Sequence, residues 1–231
     1  MKARQAPARE IVLDTETTGL DPDAGHRIVE VACVELFGYV PTGRHFQRYV
    51  NPERAMPAEA QSIHGLTDEL LAKQPAFGEI AGEFIEFIGD APLVIHNASF
   101  DLKFLNAELT RSGRPRLQRS RAVDTVALAR RRFPGAQVSL DALCKRFEID
   151  ASARTFHGAL LDCQLLAEVY LELRGGRQPG FELNRAANPV AEAADPAARP
   201  VRPPRPHAPS AEELAAHEAL LATIKDPIWR Q

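Results

Sequence analysis

The sequence predicts an α/β fold in which a mixed sheet is covered by helices. Short apolar runs with strand character fill the first 52 residues. From there to residue 174, runs with helical spacing alternate with further short strands. The length of 231 residues allows one sizeable α/β domain and a tail, and excludes two full enzyme domains.

Three strands joined by short links open the chain. Residues 9–14 (REIVLD) are an apolar run that ends in an acid, which is typical of a buried strand. Residues 27–36 alternate roughly with period two, and residues 45–52 form a third strand that Pro52 ends. Glycine and proline turn signals separate the first two strands. The three strands are expected to form an antiparallel meander.

Helices follow and alternate with two short strands. Apolar residues at helical spacing predict an amphipathic helix over 76–89, and residues 92–97 predict a compact buried strand. Ser99 is the expected N-cap of the next helix, which Gly113 follows. The remaining elements are a strand at 122–125, a helix up to Phe133, a helix that Ser139 opens, and a last helix over about 158–174.

Composition limits the class of protein. The formal charge of −3 excludes a generally basic nucleic-acid-binding surface, so any such contact must be local. Three cysteines, Cys33, Cys144 and Cys163, form no CxxC pair, which argues against a disulfide framework or a cysteine zinc site. Neither a signal peptide nor a membrane-spanning run is expected, and the predicted location is cytoplasmic.

The end of the chain differs from its beginning. Residues 177–210 are rich in Pro, Ala and Arg and have almost no large apolar side chains, which predicts a disordered linker. Residues 211–231 then contain one helical stripe formed by Leu214, His217, Leu220, Leu221 and Ile224. So short a helix is marginal alone, so it is expected to dock on a partner or on its own domain. The predicted domains are therefore 1–176, 177–210 and 211–231.

Two carboxylates at the end of the first strand are the most informative feature. Asp14 and Glu16 are two residues apart, so in an extended chain they project to the same side. They repel each other unless a cation lies between them, which is the geometry of a hard divalent metal site. Such triplets are also common on surfaces, so the pair alone is weak evidence.

Two further acids follow buried or apolar segments. Asp101 lies just past the strand 92–97, where it could equally be an acid in the first turn of a helix. Asp162 stands among apolar neighbours in the last helix. A lone buried carboxylate costs several kcal/mol, so Asp162 requires a cation or strong hydrogen bonds.

His157 comes five residues before Asp162. Five residues of continuous helix would place the two side chains on different faces, so His157 must stand at the helix start or in the preceding loop. A histidine there is suited to act as a general base toward water, although a helix-cap role is the simpler alternative. Four acids without cysteine ligands favour Mg²⁺ or Mn²⁺ over zinc, and paired ions are usual for phosphodiester hydrolysis.

Three segments carry a resemblance to a known family. DTETTGL (14–20), HNASFDLKFL (96–105) and HGALLDCQLLAEVY (157–170) resemble, in order and spacing, the three motifs of the DEDDh 3′→5′ exonuclease superfamily. Within it the chain is most similar to epsilon (proofreading) subunits of bacterial DNA polymerase III. The resemblance covers residues 9–174. It implies a ribonuclease H-like fold with a mixed five-stranded sheet, in which three antiparallel N-terminal strands precede parallel ones.

The resemblance also implies an activity and its residues. The activity is removal of nucleotides from DNA 3′ ends as 5′-monophosphates, with two Mg²⁺ or Mn²⁺ ions, and its role is proofreading for the replicative DNA polymerase. Asp14, Glu16 and Asp162 would bind the metals, Asp101 would help to hold the second, and His157 would be the general base. The residues expected around the 3′-terminal nucleotide are Thr15, Thr17, Thr18, Leu20, His64, Leu66, Asn97 and Phe100.

Several features of the sequence are each compatible with two roles. Phe100 could pack in the core or stack on a terminal base. The arginines between residues 111 and 132 could be a solvated face or a track for the DNA backbone. The segment Gln178–Leu183 could contact a sliding clamp or be plain linker. The terminal helix, with Ile228 and Trp229, is the better partner anchor, and the resemblance points to the DNA polymerase III alpha subunit.

Two rival functions are weighed against proofreading. One is a free-standing DEDDh exonuclease that acts on RNA 3′ ends or DNA repair intermediates. The other, of a different class, is an inactive nucleic-acid or polymerase-binding module. The five catalytic residue types argue against the inactive module, and the linker with its terminal helix argues for a tethered enzyme.

Overall fold

The computed structural model describes residues 8–152, 156–176 and 209–224, which divide between two compact units, 8–176 and 209–224. The first unit contains five strands: β1 (Arg9–Thr17), β2 (Ile28–Phe37), β3 (Val40–Tyr49), β4 (Leu93–Ile95) and β5 (Ala122–Asp124). They form one sheet in the order β3-β2-β1-β4-β5. β1 to β3 pair antiparallel, whereas β4 pairs parallel with both β1 and β5. The predicted mixed five-stranded sheet is confirmed.

Helices flank this sheet. They are α1 (Ala58–His64), α2 (Asp68–Leu71), α3 (Phe77–Ile88), α4 (Ala98–Arg111), α5 (Thr125–Arg132), α6 (Leu140–Arg146) and α7 (Ala159–Leu173). The sequence patterns predict α3 to α7 but not α1 and α2, which are too short to show a helical period. β3 begins five residues earlier than expected, since the pairing of β2 with β3 extends to Val40 at the hairpin.

The start of α4 differs from the prediction. Ser99 was the expected N-cap, but the helix begins at Ala98 and its N-cap residue is Asn97, with a left-handed φ of 67°. Asparagine tolerates that conformation better than most residues, so the turn from β4 into α4 is tighter than the Ser99 signal implied. Asp101 consequently lies in the first turn of α4.

The two faces of the sheet pack against different helices. Ile11, Leu13 and Cys33 lie on one face, in a core with aromatic residues of α3 and α4. Val12 and Ala32 lie on the other face, in a core with Cys163, Leu166 and Tyr170 of α7. Side chains alternate along a strand. The row that begins at Val12 therefore continues through Asp14 and Glu16 on the α7 side.

The second unit is the helix α8 (Ala211–Thr223). Ser210 Oγ accepts a hydrogen bond from Glu213 N, and Glu213 Oε2 accepts one from Ser210 N, which forms a capping box. The predicted linker over 177–210 falls almost entirely outside the described residues, as do Gln178–Leu183, Ile228 and Trp229. Within the described ranges, no helix is both long and apolar enough to cross a membrane.

Candidate active site

β1 places its two carboxylates opposite β2. Asp14 pairs with Ala32 and Glu16 with Glu30 in the antiparallel register. Glu16 is 9% exposed, whereas Asp14 is half-buried. The apolar run of β1 thus ends by presenting two acids toward the start of α7.

Asp101 is joined to the same strand by its neighbour Thr15. The Thr15 backbone N and Oγ1 both donate to Asp101 Oδ1, at 3.1 and 2.8 Å. Asp101 is 2% exposed and Thr15 is 6% exposed. The two hydrogen bonds fix the carboxylate of α4 against β1, so Thr15, which was expected near the nucleotide, also orients a site acid.

Asp162 and His157 come from the start of α7. Asp162 lies in the first turn and is 5% exposed, and its N donates to Gly158 O at 2.9 Å. His157 precedes the helix, and its Nδ1 is 3.5 Å from Asp162 Oδ2. The His157 backbone N donates to Ile63 O at 3.0 Å, which fastens this loop to α1. The sequence predicts this position, because five residues of continuous helix would have placed the side chains of His157 and Asp162 on different faces.

Burial raises the pKa of two site acids, and neighbouring charges add to the rise at Asp14. Burial raises the pKa of Asp14 well above its ordinary value, and the charges of Asp101, Glu16 and Asp162 raise it further. Burial raises the pKa of Asp101 to about 7, although the hydrogen bonds from Thr15 oppose that rise. A cation bound among these carboxylates would offset both the burial and the repulsion.

The donor atoms fit a divalent metal. Glu16, His157 and Asp162 each offer one ligand atom, and these three atoms lie within 4.8 Å of one another. Asp14 lines the same cavity as His157 and Asp162. Carboxylate oxygens with one imidazole and no thiolate suit hard ions such as Mg²⁺ or Mn²⁺.

A cavity of about 250 Å³ opens over these groups, and we call it the charged cavity. Its lining residues are Asp14, His96, Ser139, Leu140, Asp141, His157 and Asp162. The sequence patterns assigned no site role to His96, Ser139 or Asp141. His96 Nδ1 is 2.9 Å from Thr125 Oγ1, which fixes the ring at the cavity wall. Position within the HNASF segment was the only sequence signal for this histidine.

A second cavity of about 530 Å³ lies beside it, and we call it the apolar cavity. Its lining residues are Thr15, Glu16, Thr17, Thr18, Gly19, Leu20, Asp21, Ala24, His26, Pro57, Glu59, Ala60, Ile63, His64 and Phe100. Six of the eight residues expected around a nucleotide are among them. Leu66 and Asn97 are not: Leu66 is buried in a separate cluster with Val29 and Met56, and Asn97 is exposed.

Two histidines shape the wall of the apolar cavity. His64 is 6% exposed and its Nδ1 accepts from Leu66 N at 3.1 Å, which leaves the proton on Nε2. That Nε2 forms no well-aligned hydrogen bond among the described residues; burial lowers the pKa of the ring, and an interaction with the Thr17 backbone opposes that lowering. His26 Nδ1 is 3.1 Å from Thr18 Oγ1, and a Cβ on Gly19 would lie 2.4 Å from the His26 ring. Only glycine fits at that position.

Comparison with known proteins agrees with this geometry. The family model described as Exonuclease matches residues 11–170. A DNA polymerase III subunit epsilon from Rickettsia felis is 49% identical over 227 residues, covering 94% of this chain and 96% of that protein. The subunit epsilon of Escherichia coli is 41% identical over 239 residues, covering 97% of this chain and 98% of its own length.

Solved structures show the same fold. The nuclease domain of 3′hExo, a DEDDh family member bound to rAMP, superposes with a TM-score of 0.65 at 20% identity, covering 74% of this chain and 94% of that chain. Exonuclease X in complex with 5′ overhanging duplex DNA gives a TM-score of 0.54 at 27% identity, covering 71% of this chain and 89% of that chain. The family is divalent-metal dependent. This chain belongs to the exonuclease family and, within it, to the DNA polymerase III epsilon subunits, which makes it a 3′→5′ exonuclease.

Proposed function

We propose that this chain removes nucleotides from DNA 3′ ends as 5′-monophosphates and thereby proofreads for a replicative DNA polymerase. The observation that carries the proposal is that the apolar cavity and the charged cavity adjoin each other at Glu16. Glu16 lines the apolar cavity and lies within 4.8 Å of His157 and Asp162, which line the charged cavity. A terminal nucleotide held in the first cavity would present its phosphodiester bond to the second.

Asp14, Glu16 and Asp162 are the metal-binding residues of the proposal, and Asp101 supports them from α4. Two Mg²⁺ or Mn²⁺ ions, when bound, would lower the pKa of water and stabilise charge on the phosphate. His157 is 49% exposed at its side chain, so it can reach a water molecule in the charged cavity. It accepts the proton of that water as general base, and Asp162, 3.5 Å away, stabilises the imidazolium that results.

The apolar cavity supplies binding and orientation. Phe100 lines it and also contacts Phe104, with ring centroids 5.0 Å apart, so the ring is partly packed against the core and partly open to the cavity. In that position Phe100 can stack on a terminal base of any identity. The buried Nε2–H of His64 is the polar group we assign to a sugar or phosphate oxygen, because an unpaired buried donor is costly. Thr15, Thr17, Thr18 and Leu20 complete the wall, with Leu66 and Asn97 outside it.

A nuclease assay on primer–template DNA tests the proposal. Matched and mismatched 3′ termini, a single-stranded DNA and an RNA of the same sequence are incubated with Mg²⁺ or Mn²⁺, with EDTA as the control. We expect 5′-monophosphates, faster release from mismatched termini, and no release in EDTA. Preference for the RNA would favour the free-standing exonuclease instead, and no cleavage with either metal would favour the inactive module.

The second unit is assigned to partner binding. Leu214 and Leu220 of α8 are 51% and 59% exposed, so the helix offers apolar side chains for a partner. We propose three parts: the exonuclease domain 1–176, a flexible linker 177–210, and a docking segment 211–231 for the polymerase alpha subunit. A sliding-clamp contact through Gln178–Leu183 is a further proposal.

A pull-down experiment tests the proposed contacts with the alpha subunit and with the sliding clamp separately. The full chain should retain the alpha subunit, and a chain ending at Gly176 should not. Replacing Gln178 and Phe181 with alanine should reduce retention of the sliding clamp while alpha binding persists. Retention of alpha by the truncated chain would contradict the docking role of the tail.

A further inference from the structure

Glu30 is a buried acid that the proposed mechanism does not use. It lies on β2 directly opposite Glu16 of β1, and it is 2% exposed. Its place on the strand continues the row of Ala32, Val34 and Leu36, which belongs to the core formed with α7. A charged residue type in that apolar row requires hydrogen-bond partners, and the structure provides them.

Both carboxylate oxygens of Glu30 accept hydrogen bonds. Glu30 Oε2 accepts from the backbone N of Ala159 at 3.2 Å, and Oε1 accepts from Gln47 Nε2 at 2.7 Å. Ala159 is the first residue of α7, where backbone N–H groups have no acceptor within the helix. Gln47 on β3 orients the carboxylate from the other side.

α7 has no cap of its own. Its N-cap residue is Gly158, which has no side chain to accept a hydrogen bond. Four other described helices have a side-chain cap at this position, from Thr67, Asp124, Ser139 and Ser210. In α7 the acceptor comes from the sheet, 129 positions away in sequence.

We propose that Glu30 is a positioning residue that caps α7 from the sheet and thereby holds Asp162 and His157 at working distance from Glu16. Asp162 lies in the first turn of α7 and His157 immediately precedes the helix, so both follow the position of that turn. Glu30 and Glu16 are fixed to each other by strand register. The inference rests on the proposed catalytic roles of Asp162 and His157.

Two substitutions of equal length provide the test. Glu30→Gln keeps an oxygen acceptor toward Ala159, whereas Glu30→Met fills the same space without one. Mutation of groups that orient metal-site residues costs about 10- to 100-fold in activity. We therefore expect Glu30→Met to lower kcat by about 10- to 100-fold with KM changed less than about threefold. Glu30→Gln should restore kcat to within about threefold of the unmodified chain.

Glu35 supplies the matched control. It is 5% exposed on the same strand and accepts hydrogen bonds from Arg9, Thr42 and Arg44, none of which belongs to α7. Glu35→Met also removes a buried carboxylate, so it should lower stability without lowering kcat. If Glu30→Met does not fold, Gln47→Met provides a second variant, because it removes the orienting donor while leaving the carboxylate; it should shift kcat in the same direction by less.

Hydrogen exchange gives a readout independent of catalysis. Peptides spanning residues 158–166 should exchange faster in Glu30→Met than in Glu30→Gln, Glu35→Met or the unmodified chain. Equal damage from the Gln and Met variants would overturn the proposal, because the charge and not the acceptor would then be required. Equal damage from Glu35→Met, or unchanged exchange in Glu30→Met, would also overturn it. An unmodified chain without nuclease activity would defeat the proposed function while leaving the exchange result to decide the capping role.

Discussion

The charged cavity and the apolar cavity lie at the same end of β1 but differ in how they are built. The charged cavity depends on a few carboxylates and His157, delivered by β1 and α7. The apolar cavity is formed by many partly interchangeable groups from the loop after β1, from α1 and from α4. Chemistry therefore depends on single side chains, whereas binding is distributed. This difference predicts that kcat and KM can be damaged separately.

Loss of a metal-binding carboxylate should have the largest effect. Asp162→Asn keeps the shape of the side chain but removes a charge that we propose to be a metal ligand. Because several kcal/mol of transition-state stabilisation depend on such ions, kcat should fall about a thousandfold or more, with KM little changed. Steady-state kinetics on a single-stranded 3′ end measure both. The exposed Asp150→Asn is the control, and a large rise in KM with normal kcat would contradict the separation.

Loss of the proposed general base should have the next largest effect. His157→Gln should lower kcat by about 100- to 1000-fold, because a positioned base typically contributes that much to proton transfer. The exposed His45→Gln is the control. If the variant keeps a normal kcat, another group must act as the base, and His96 at the same cavity wall is the candidate to test.

Removal of Phe100 should affect binding more than chemistry. Base stacking on an aromatic ring is worth about 1–3 kcal/mol, so Phe100→Ala should raise KM by about 5- to 150-fold with a much smaller change in kcat. Phe37→Ala is the control, since Phe37 is 55% exposed at the end of β2. A loss confined to kcat would mean that Phe100 acts through its packing on α4 and the position of Asp101.

The two cavities also differ in how far sequence predicts them. The sequence predicts Asp14, Glu16, Asp101 and Asp162 as site residues because acids after or among apolar runs leave a clear local signal, and it predicts His157 from its place before the last helix. The wall of the apolar cavity was identified by resemblance alone, and Ile63 and His26 were missed. His26 lies in a loop and Ile63 in the short helix α1, and neither segment is long or regular enough to show a periodic pattern of apolar residues.

Glu30 differs from the residues of both cavities in how far its role can be predicted from sequence. Its signal was present, since it is an acid in a strand whose other residues on that face are apolar. The partner that explains it lies at Ala159, and only the packing of α7 on β2 brings the two together. Sequence patterns reveal local periodicity, but they do not reveal a hydrogen bond between residues that are far apart in the chain.

The burial of the Asp101 carboxylate should be visible in the stability of the chain without metal. Asp101 has a pKa of about 7 in the folded chain, against about 3.9 for an unfolded aspartate. Between these values the folded state binds more protons, so the free energy of unfolding should fall as pH rises, by up to about 1.4 kcal/mol per unit from this group. Urea unfolding in EDTA at pH 5.5, 6.5 and 7.5 should show it, and Asp101→Asn should flatten the curve. The lowered pKa of His64 acts in the opposite direction below about pH 6.5 in both proteins, so the difference between them reports the Asp101 carboxylate together with the effect of its charge on Asp14. Parallel curves would contradict the assignment.

The arginine-rich surface should have the smallest effect, and the structure decides which of its residues are informative. Arg111 pairs with Glu108, Arg121 donates to the carbonyls of Gly89 and Ala91, and Arg132 donates to those of Glu172 and Leu173. These three therefore have structural contacts, whereas Arg130 and Arg131 are exposed on α5.

Charge reversal of those two exposed residues tests for a backbone track outside both cavities. Arg130→Glu with Arg131→Glu should raise KM a few-fold at low salt and reduce the salt dependence of binding by about one to two phosphate contacts, with kcat unchanged. Arg146→Glu, which removes a cation over the Phe133 ring, is the control for a general change of charge near α5. An unchanged salt slope would assign the arginines to a solvated face, and DNA binding would then rest on the apolar cavity and the bound metals alone.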